Sequence, residues 1–383
     1  MKLFIKYSLV SFVFCISLFV FTKITADHPV KNPNADDRHL SLLFLGDIMQ
    51  HQPQVEAAWD DSLKTYIYDS CFKYVAPFIR KADIAMANLE VTLAGPPYTG
   101  YPQFSGPDQL IQGLLYAGID IVGTANNHSC DKGSFGIDRT IHVLDSLGLK
   151  HTGTFIDSAS RAVSFPLMIR KNGFKLAFLN YTYGTNGIAV PGNKIVNLID
   201  TIQMKTDLKR AKDSMPDKVI VFVHWGEEYQ SHPNAFQEDI ARFCFSNGAD
   251  IIIGMHPHVI QKIERYHFPD SSGREVFIAW SLGNYMSNQR ERYKDGGLMV
   301  SIELLKHNNV VSIDNSSWCL SWVYIPVEKG RKKYYILPVE EFEKRFKTID
   351  TVSYQKMMLF ATDSRSLMQK ESKGVNECIL INK

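Results

Sequence analysis

The sequence predicts an α/β protein whose chemistry sits at the ends of its strands. Two observations carry that expectation. Short apolar runs, several of them β-branched, alternate with stretches whose apolar residues recur at helical spacing. Five of those runs also stop at side chains able to bind a metal: Asp47, Glu90, Asn127, His224 and the His256/His258 pair. Alternation of strand and helix brings such ends to one edge of a sheet, where the ligands of open α/β sheets collect.

Length and composition set the bounds. A chain of 383 residues holds one large domain of about 250–300 residues plus an appendage, or two medium ones. The hydrophobic share of 45% and charged share of 21% are ordinary for a globular protein. A net charge of +2 argues against nucleic acid as a partner, and against an acidic polymer held by bulk electrostatics alone. At the N-terminus, Lys2 and Lys6 precede an apolar stretch at 7–21 that Lys23 closes. Residues 1–26 therefore read as a signal peptide with Ile24-Thr25-Ala26 at the cleavage site or, uncleaved, as an N-terminal membrane anchor. Residues 27–38 read as a linker, and the protein as exported to the cell envelope. Outside the leader stand Cys71, Cys130, Cys244, Cys319 and Cys378, widely spaced and without a CxxC pair. That pattern excludes a disulfide scaffold and leaves room for one or two bridges.

Along the chain, residues 40–45 (LSLLFL) form a buried strand that delivers Gly46 and Asp47. Asp47 either faces a ligand or caps the following helix. His51 lies four residues on, within reach of the same site. Residues 55–81 read as helical through Val55, Ala58, Phe72, Val75, Phe78 and Ile79. A short strand at 83–90 ends in Glu90, and Pro96, Pro97, Gly100, Pro102, Gly106 and Pro107 then make a long irregular loop of the kind that carries binding surfaces. A helix at 108–118 stops near Gly118, and a strand at 119–122 runs into GTANNHSCDKGSFGI (123–137). There Asn127 can ligate a metal through its amide oxygen without adding charge, and His128 can donate a proton. An asparagine-rich turn is the alternative. Asp131 and Gly133 shape the turn into a helix at 137–147.

Strands at 165–170 and 174–179 meet at Asn172-Gly173, a hairpin signal. A helical stretch at 199–215 ends at Pro216, and the apolar strand 218–223 places His224 at its end within HWGEEY. After a helix at 233–245 comes GADIIIGMHPHVIQ (248–261), a β-branched strand with its exit at Gly254. His256 and His258 flank Pro257, whose φ is fixed. In an extended segment, residues two apart point to the same side, so both imidazoles would face one point. The bland reading is two surface histidines on a loop. Strands follow at 276–279, running into SLGNY, and at 297–305, with two or three more within 310–338 and a charged helical stretch at 340–370. Two carboxylates, one amide and three imidazoles, without a thiolate, suit one or two divalent ions such as zinc, manganese or iron. Two ions sharing a carboxylate would activate water and clamp phosphate-like oxygens.

Taken in order, LFLGDIM, ANLE, TANNHSCDKGSFG, VHWGEEY, GADIIIGMHPHVIQ and SLGNY resemble the CapA/PgsA family of capsule (poly-γ-glutamate) synthesis proteins over residues 40–305. The domain of that family is similar to the calcineurin-like metallophosphoesterases. The resemblance implies a four-layer αββα sandwich over 39–305, followed by a C-terminal β-rich and helical extension at 306–383. It implies Asp47 as first ligand, Glu90 as bridging carboxylate, Asn127 as ligand beside a catalytic His128, and His224, His256 and His258 as the remaining metal ligands. One position departs: the phosphoesterases place a histidine two residues after the first aspartate, and this chain has Met49. A thioether is a poor ligand for a hard ion, which leaves His51 as the candidate to act there. The implied function is an exported exopolymer-synthesis protein with a metal-dependent site acting on a phosphoester or polymer bond. The alternative is a non-catalytic envelope component that binds or exports an anionic polymer around a single structural metal. Expected partners are the anionic exopolymer or phosphoester substrate, the membrane through an uncleaved N-terminus, and a capsule-synthesis membrane complex.

Overall fold

Two sheets lie face to face. The computed structural model describes residues 37–270, 273–345 and 349–378, so the leader at 1–26 falls outside the described residues. From edge to edge, the first sheet runs Tyr335–Pro338, Val310–Tyr324, Gly296–His307, Arg38–Ile48, Ile84–Leu89, Ile121–Gly123 and Lys150–Thr152. Its last four strands are parallel, and the first three are antiparallel neighbours. The second sheet runs Ile263–His267, Glu275–Ala279, Ile251–Met255, Lys218–His224, Phe174–Thr182 and Leu167–Lys171. Its four central strands are parallel and its two edges antiparallel.

Alternation along the strands builds the layers. Leu40, Leu42 and Phe44 of the first sheet turn inward against Phe174, Leu176, Phe178, Ile220 and Phe222 of the second. Each such side chain contributes about 1.5–3 kcal/mol by leaving water. Leu43, Leu45, Ala85 and Val122 face the other way, onto helices Gln109–Ala117 and Gly133–Leu147. Leu179, Val219, Val221 and Ile252 of the second sheet pack on helices Thr201–Asp213 and Ala235–Ser246. The result is the αββα sandwich that the resemblance implies. Asp200 caps the first of the latter helices by accepting from the Ile202 and Gln203 amides, and Asn234 opens the second with a capping box.

Residues 306–378 continue these layers. Val310–Tyr324 pairs along its length with Gly296–His307, and helix Thr351–Glu371 sends Met357, Phe360, Ala361 and Met368 into the core between the sheets. A Cys319–Cys378 disulfide fastens the chain end to that strand, while Cys71, Cys130 and Cys244 are free and buried.

The helical reading of 55–81 is corrected. Only Gln52–Ala58 and two single turns, Asp69–Phe72 and Ala76–Ile79, are helical. Between them Trp59–Asp60 and Thr65–Tyr66 form a small hairpin, because the Asp60 carboxylate accepts from the Ser62 and Leu63 amides and bends the chain back. The strand Ile263–His267, unread from sequence, lies antiparallel to Glu275–Ala279.

Two glycines let the strands deliver their cargo. A Cβ on Gly46 would meet the Gly283 carbonyl oxygen at 2.1 Å, and one on Gly254 would meet that of Trp280 at 2.0 Å. Each lets a neighbouring strand pass against the backbone just before a candidate ligand, Asp47 in one sheet and His256 in the other.

Candidate metal centre

The first sheet supplies oxygen donors. Asp47 stands in register with Asn88 and Asn284 on its two neighbours. Asn88 Nδ2 donates to Asp47 Oδ1 at 2.7 Å and lies 3.3 Å from His224 Nδ1, so it joins the two sheets. Glu90 follows Asn88 by two residues and is fully buried, yet neither of its carboxylate oxygens has a hydrogen-bond partner. A buried carboxylate left bare costs several kcal/mol. Burial first, then the neighbouring charges of Asp47 and Glu228, push its carboxyl well above the usual range.

The second sheet supplies imidazoles. His224 Nε2 lies 2.9 Å from Asn127 Oδ1 and 3.7 Å from Glu90 Oε1. His258 Nδ1 lies 3.2 Å from Asp47 Oδ2 and 3.1 Å from Asn284 Oδ1, and its Nε2 lies 3.7 Å from Glu90 Oε1. His256 Nδ1 is buried without a partner. Burial, followed by the neighbouring imidazoles, holds His224 far below the ordinary histidine range and takes His256 down to about 3. Both rings are therefore neutral and able to ligate.

These side chains form overlapping sets. Glu90, His224 and His256 present ligand atoms within 4.8 Å of one another, and so do Asp47, Glu90 and His258. Glu90 belongs to both. Hard and borderline donors with a shared, unpartnered carboxylate fit one or two divalent cations, which would also offset the buried charge.

The histidine loop reaches this point by a different route from the extended pitch expected. His256 has φ 96° and His258 φ 57°, both left-handed. An imidazole-bearing residue at such a φ is strained. The two rings, 5.9 Å apart, converge because the backbone coils around Pro257 rather than because alternate residues of a strand share a side.

Around the sets stand the remaining candidates. His128 Nδ1 lies 2.8 Å from Asp131 Oδ2, an oxygen that also accepts from the Phe104 amide at 2.7 Å. The Phe104 ring packs 4.5 Å from His128, so the Pro- and Gly-rich loop serves to hold this histidine. His51 is not gathered into the ligand sets. Its Nδ1 lies 3.1 Å from Gln54 Oε1 and accepts from the Asn288 amide, while its ring stands edge-on to Phe104. Burial lowers its pKa to about 4. The Met49 side chain packs into the helix-side core.

Sequence reasoning left four residues without a role here. Asn88 sits two before Glu90, on the same strand face, and that spacing was its signal. Asp131, read only as a turn residue, stands three after His128. Asn284 lies inside SLGNY and Glu228 inside HWGEEY, and neither carried a spacing signal of its own.

A family model for the bacterial capsule synthesis protein PGA_cap matches residues 41–289, well over half of the chain and every residue of the ligand sets. The chain belongs to the PGA_cap family. The capsule biosynthesis protein CapA of Bacillus anthracis is 28% identical over 283 residues, covering 71% of this chain and 65% of that protein. This PGA_cap chain thus spans about two thirds of that relative's length. The PGA biosynthesis protein CapA of Bacillus subtilis (strain 168) is 29% identical, covering 72% of this chain and 70% of the relative. Among solved structures, the calcineurin-like phosphoesterase YfkN from Bacillus subtilis aligns with a TM-score of 0.42 at 15% identity, over 86% of this chain and 98% of that one. No helix among the described residues is long and apolar enough to cross a membrane.

Proposed function

We propose that this chain is an exported exopolymer-synthesis protein of the poly-γ-glutamate type, whose strand-end centre binds divalent metal and acts on a phosphoester or polymer bond. The observation that carries the reading is Glu90, a buried carboxylate without a hydrogen-bond partner that lies in two ligand sets at once. Asp47, Glu90, Asn127, His224, His256 and His258 would hold the ions. Bound there, a divalent metal supplies Lewis acidity toward a phosphoryl or carbonyl oxygen. Asp131 accepts from His128 Nδ1, which fixes the ring and leaves Nε2 as the nitrogen that exchanges a proton with the reacting group. Phe104 packs against the rings of both His51 and His128. The relatives' names support the capsule assignment, and a location at the cell envelope, with attachment through the N-terminus or a synthesis complex, goes with this reading.

Met49 favours a second reading. Its side chain lies in the core, so the histidine of the phosphoesterases has no counterpart at that position. A single structural ion would then hold the loops of a protein that binds the anionic polymer without cleaving it.

Metal content of the purified full chain by mass spectrometry, beside a His256→Ala/His258→Ala variant, tests both. About two equivalents in the parent, lost in the variant, support the catalytic reading and lead to phosphodiester and poly-γ-glutamate turnover assays. One equivalent with polymer binding and no turnover supports the second. No metal in either protein overturns the centre.

A further inference from the structure

We propose that Glu228, outside every strand, is a metal ligand that closes the centre from the solvent side. The inference rests on the metal reading above and concerns a residue that reading does not use. The Glu228 carboxylate, His256 and His258 present ligand atoms within 4.8 Å of one another. Unlike the six candidate ligands at the strand ends, Glu228 is exposed. An exposed acid near two histidines would ordinarily mean little. Two further observations give it weight.

First, the buried partner is incomplete. His256, one of the two imidazoles grouped with Glu228, has a buried Nδ1 without a hydrogen bond, so this donor has capacity that no protein group satisfies. Second, the loop that carries Glu228 is pinned to the histidine loop. The Tyr229 amide donates to the Pro257 carbonyl at 2.7 Å, directly between His256 and His258. Gln261 Nε2 donates to the Gln230 carbonyl at 2.8 Å, and Gln237 Nε2 in turn donates to Gln261 Oε1. Tyr229 takes φ 67°, its ring stands 6.1 Å from that of His258, and Lys294 Nζ sits 4.0 Å from the Tyr229 ring centroid as a cation–π partner. A bulky residue holds a left-handed conformation only where its surroundings enforce it. The backbone on either side of Glu228 is thereby held against the histidine loop.

A carboxylate beside two imidazoles adds a hard oxygen donor for a divalent cation such as Mn²⁺ or Zn²⁺. Because Glu228 is exposed while the other candidate ligands are buried, it forms the solvent-side part of the centre.

The test is titration of Mn²⁺ and Zn²⁺ into the metal-stripped full chain, followed by calorimetry and metal content, for the parent, Glu228→Gln and Glu227→Gln. Glu227→Gln removes the same exposed charge one residue away and controls for long-range electrostatics. Glu228→Gln is expected to lose one equivalent or to weaken binding tenfold or more, with Glu227→Gln changed less than threefold. Equal binding by the parent and Glu228→Gln overturns the assignment and leaves the metal reading standing. Equal weakening in both variants also overturns it, reducing Glu228 to a surface charge. A parent that binds neither ion overturns the metal reading itself, and this inference with it.

Discussion

The two sheets make unlike halves of one centre. The first contributes Asp47, Glu90 and Asn127, all oxygen donors, on strand ends of ordinary conformation. The second contributes His224, His256 and His258, all nitrogen donors, two of them on a loop in the left-handed region. Burial acts oppositely on the two halves: it pushes the Glu90 carboxyl up and the His224 and His256 imidazoles down. For these three groups the neutral form is favoured, because the low-dielectric interior resists any charge that lacks a partner. The comparison teaches that neither sheet encodes a site by itself. A carboxylate half without a cation is destabilised, and a neutral imidazole half has affinity but little charge to hold an ion.

The sharpest way to break the comparison is to remove the shared residue. Glu90→Gln is expected to abolish metal binding, as read by mass spectrometry. The same variant, free of metal, should melt higher than the metal-free parent, its unfolding free energy raised by about 1–3 kcal/mol, since an unpaired buried carboxylate is gone. A lower melting point would mean that Glu90 is satisfied by a partner other than metal.

Next in size is the His128–Asp131 pair, which follows a strand of the first sheet and stands outside the ligand sets. His128→Gln should lower phosphodiester turnover by about 10²–10⁴-fold with metal content unchanged. Asp131→Asn should do the same more mildly while shifting the pH profile. Loss of metal in either variant would make His128 a structural support of the centre instead.

A third effect concerns pH. His51 has a folded-state pKa of about 4, below the unfolded value near 6.5, so the unfolded chain binds the proton more readily. Its neutral form therefore contributes no penalty above pH 6.5, and stability falls as pH drops from 6.5 toward 4, by up to about 3 kcal/mol. Denaturant unfolding of the parent and His51→Gln across pH 4–7 should show a shallower slope in the variant. Parallel slopes would show that His51 titrates normally.

The smallest expected effect sharpens the symmetry between the halves. Asn284 belongs to the first sheet yet lies 3.1 Å from His258 Nδ1 in the loop of the second, and it is held by Gln289 and the Lys294 carbonyl. Asn284→Ala should weaken metal affinity about 10–100-fold, as other groups that orient a ligand do. Calorimetric titration would read it.

The order of residues along the chain already puts most of the facing donors at strand ends. Apolar runs closed by glycine or a tight turn place Asp47, Glu90, Asn127, His224, His256 and His258 at strand ends, and strand–helix alternation puts such ends together. The hairpin at Asn172-Gly173 was equally legible, because only a few residues tolerate the left-handed φ of 50° and 80° found there. Tertiary structure alone decided the rest. Periodicity carries no distance between separate sheets, so the division of donors into an oxygen half and an imidazole half could not be read from it. The coil at His256 and His258 is imposed by contacts that lie far away in sequence, such as the Tyr229 amide on the Pro257 carbonyl. The helical reading of 55–81 failed because a local bond from Asp60 to the backbone outcompeted apolar spacing. Asn284 and Glu228 carried no spacing signal and stand beside the centre only through neighbours that folding supplied.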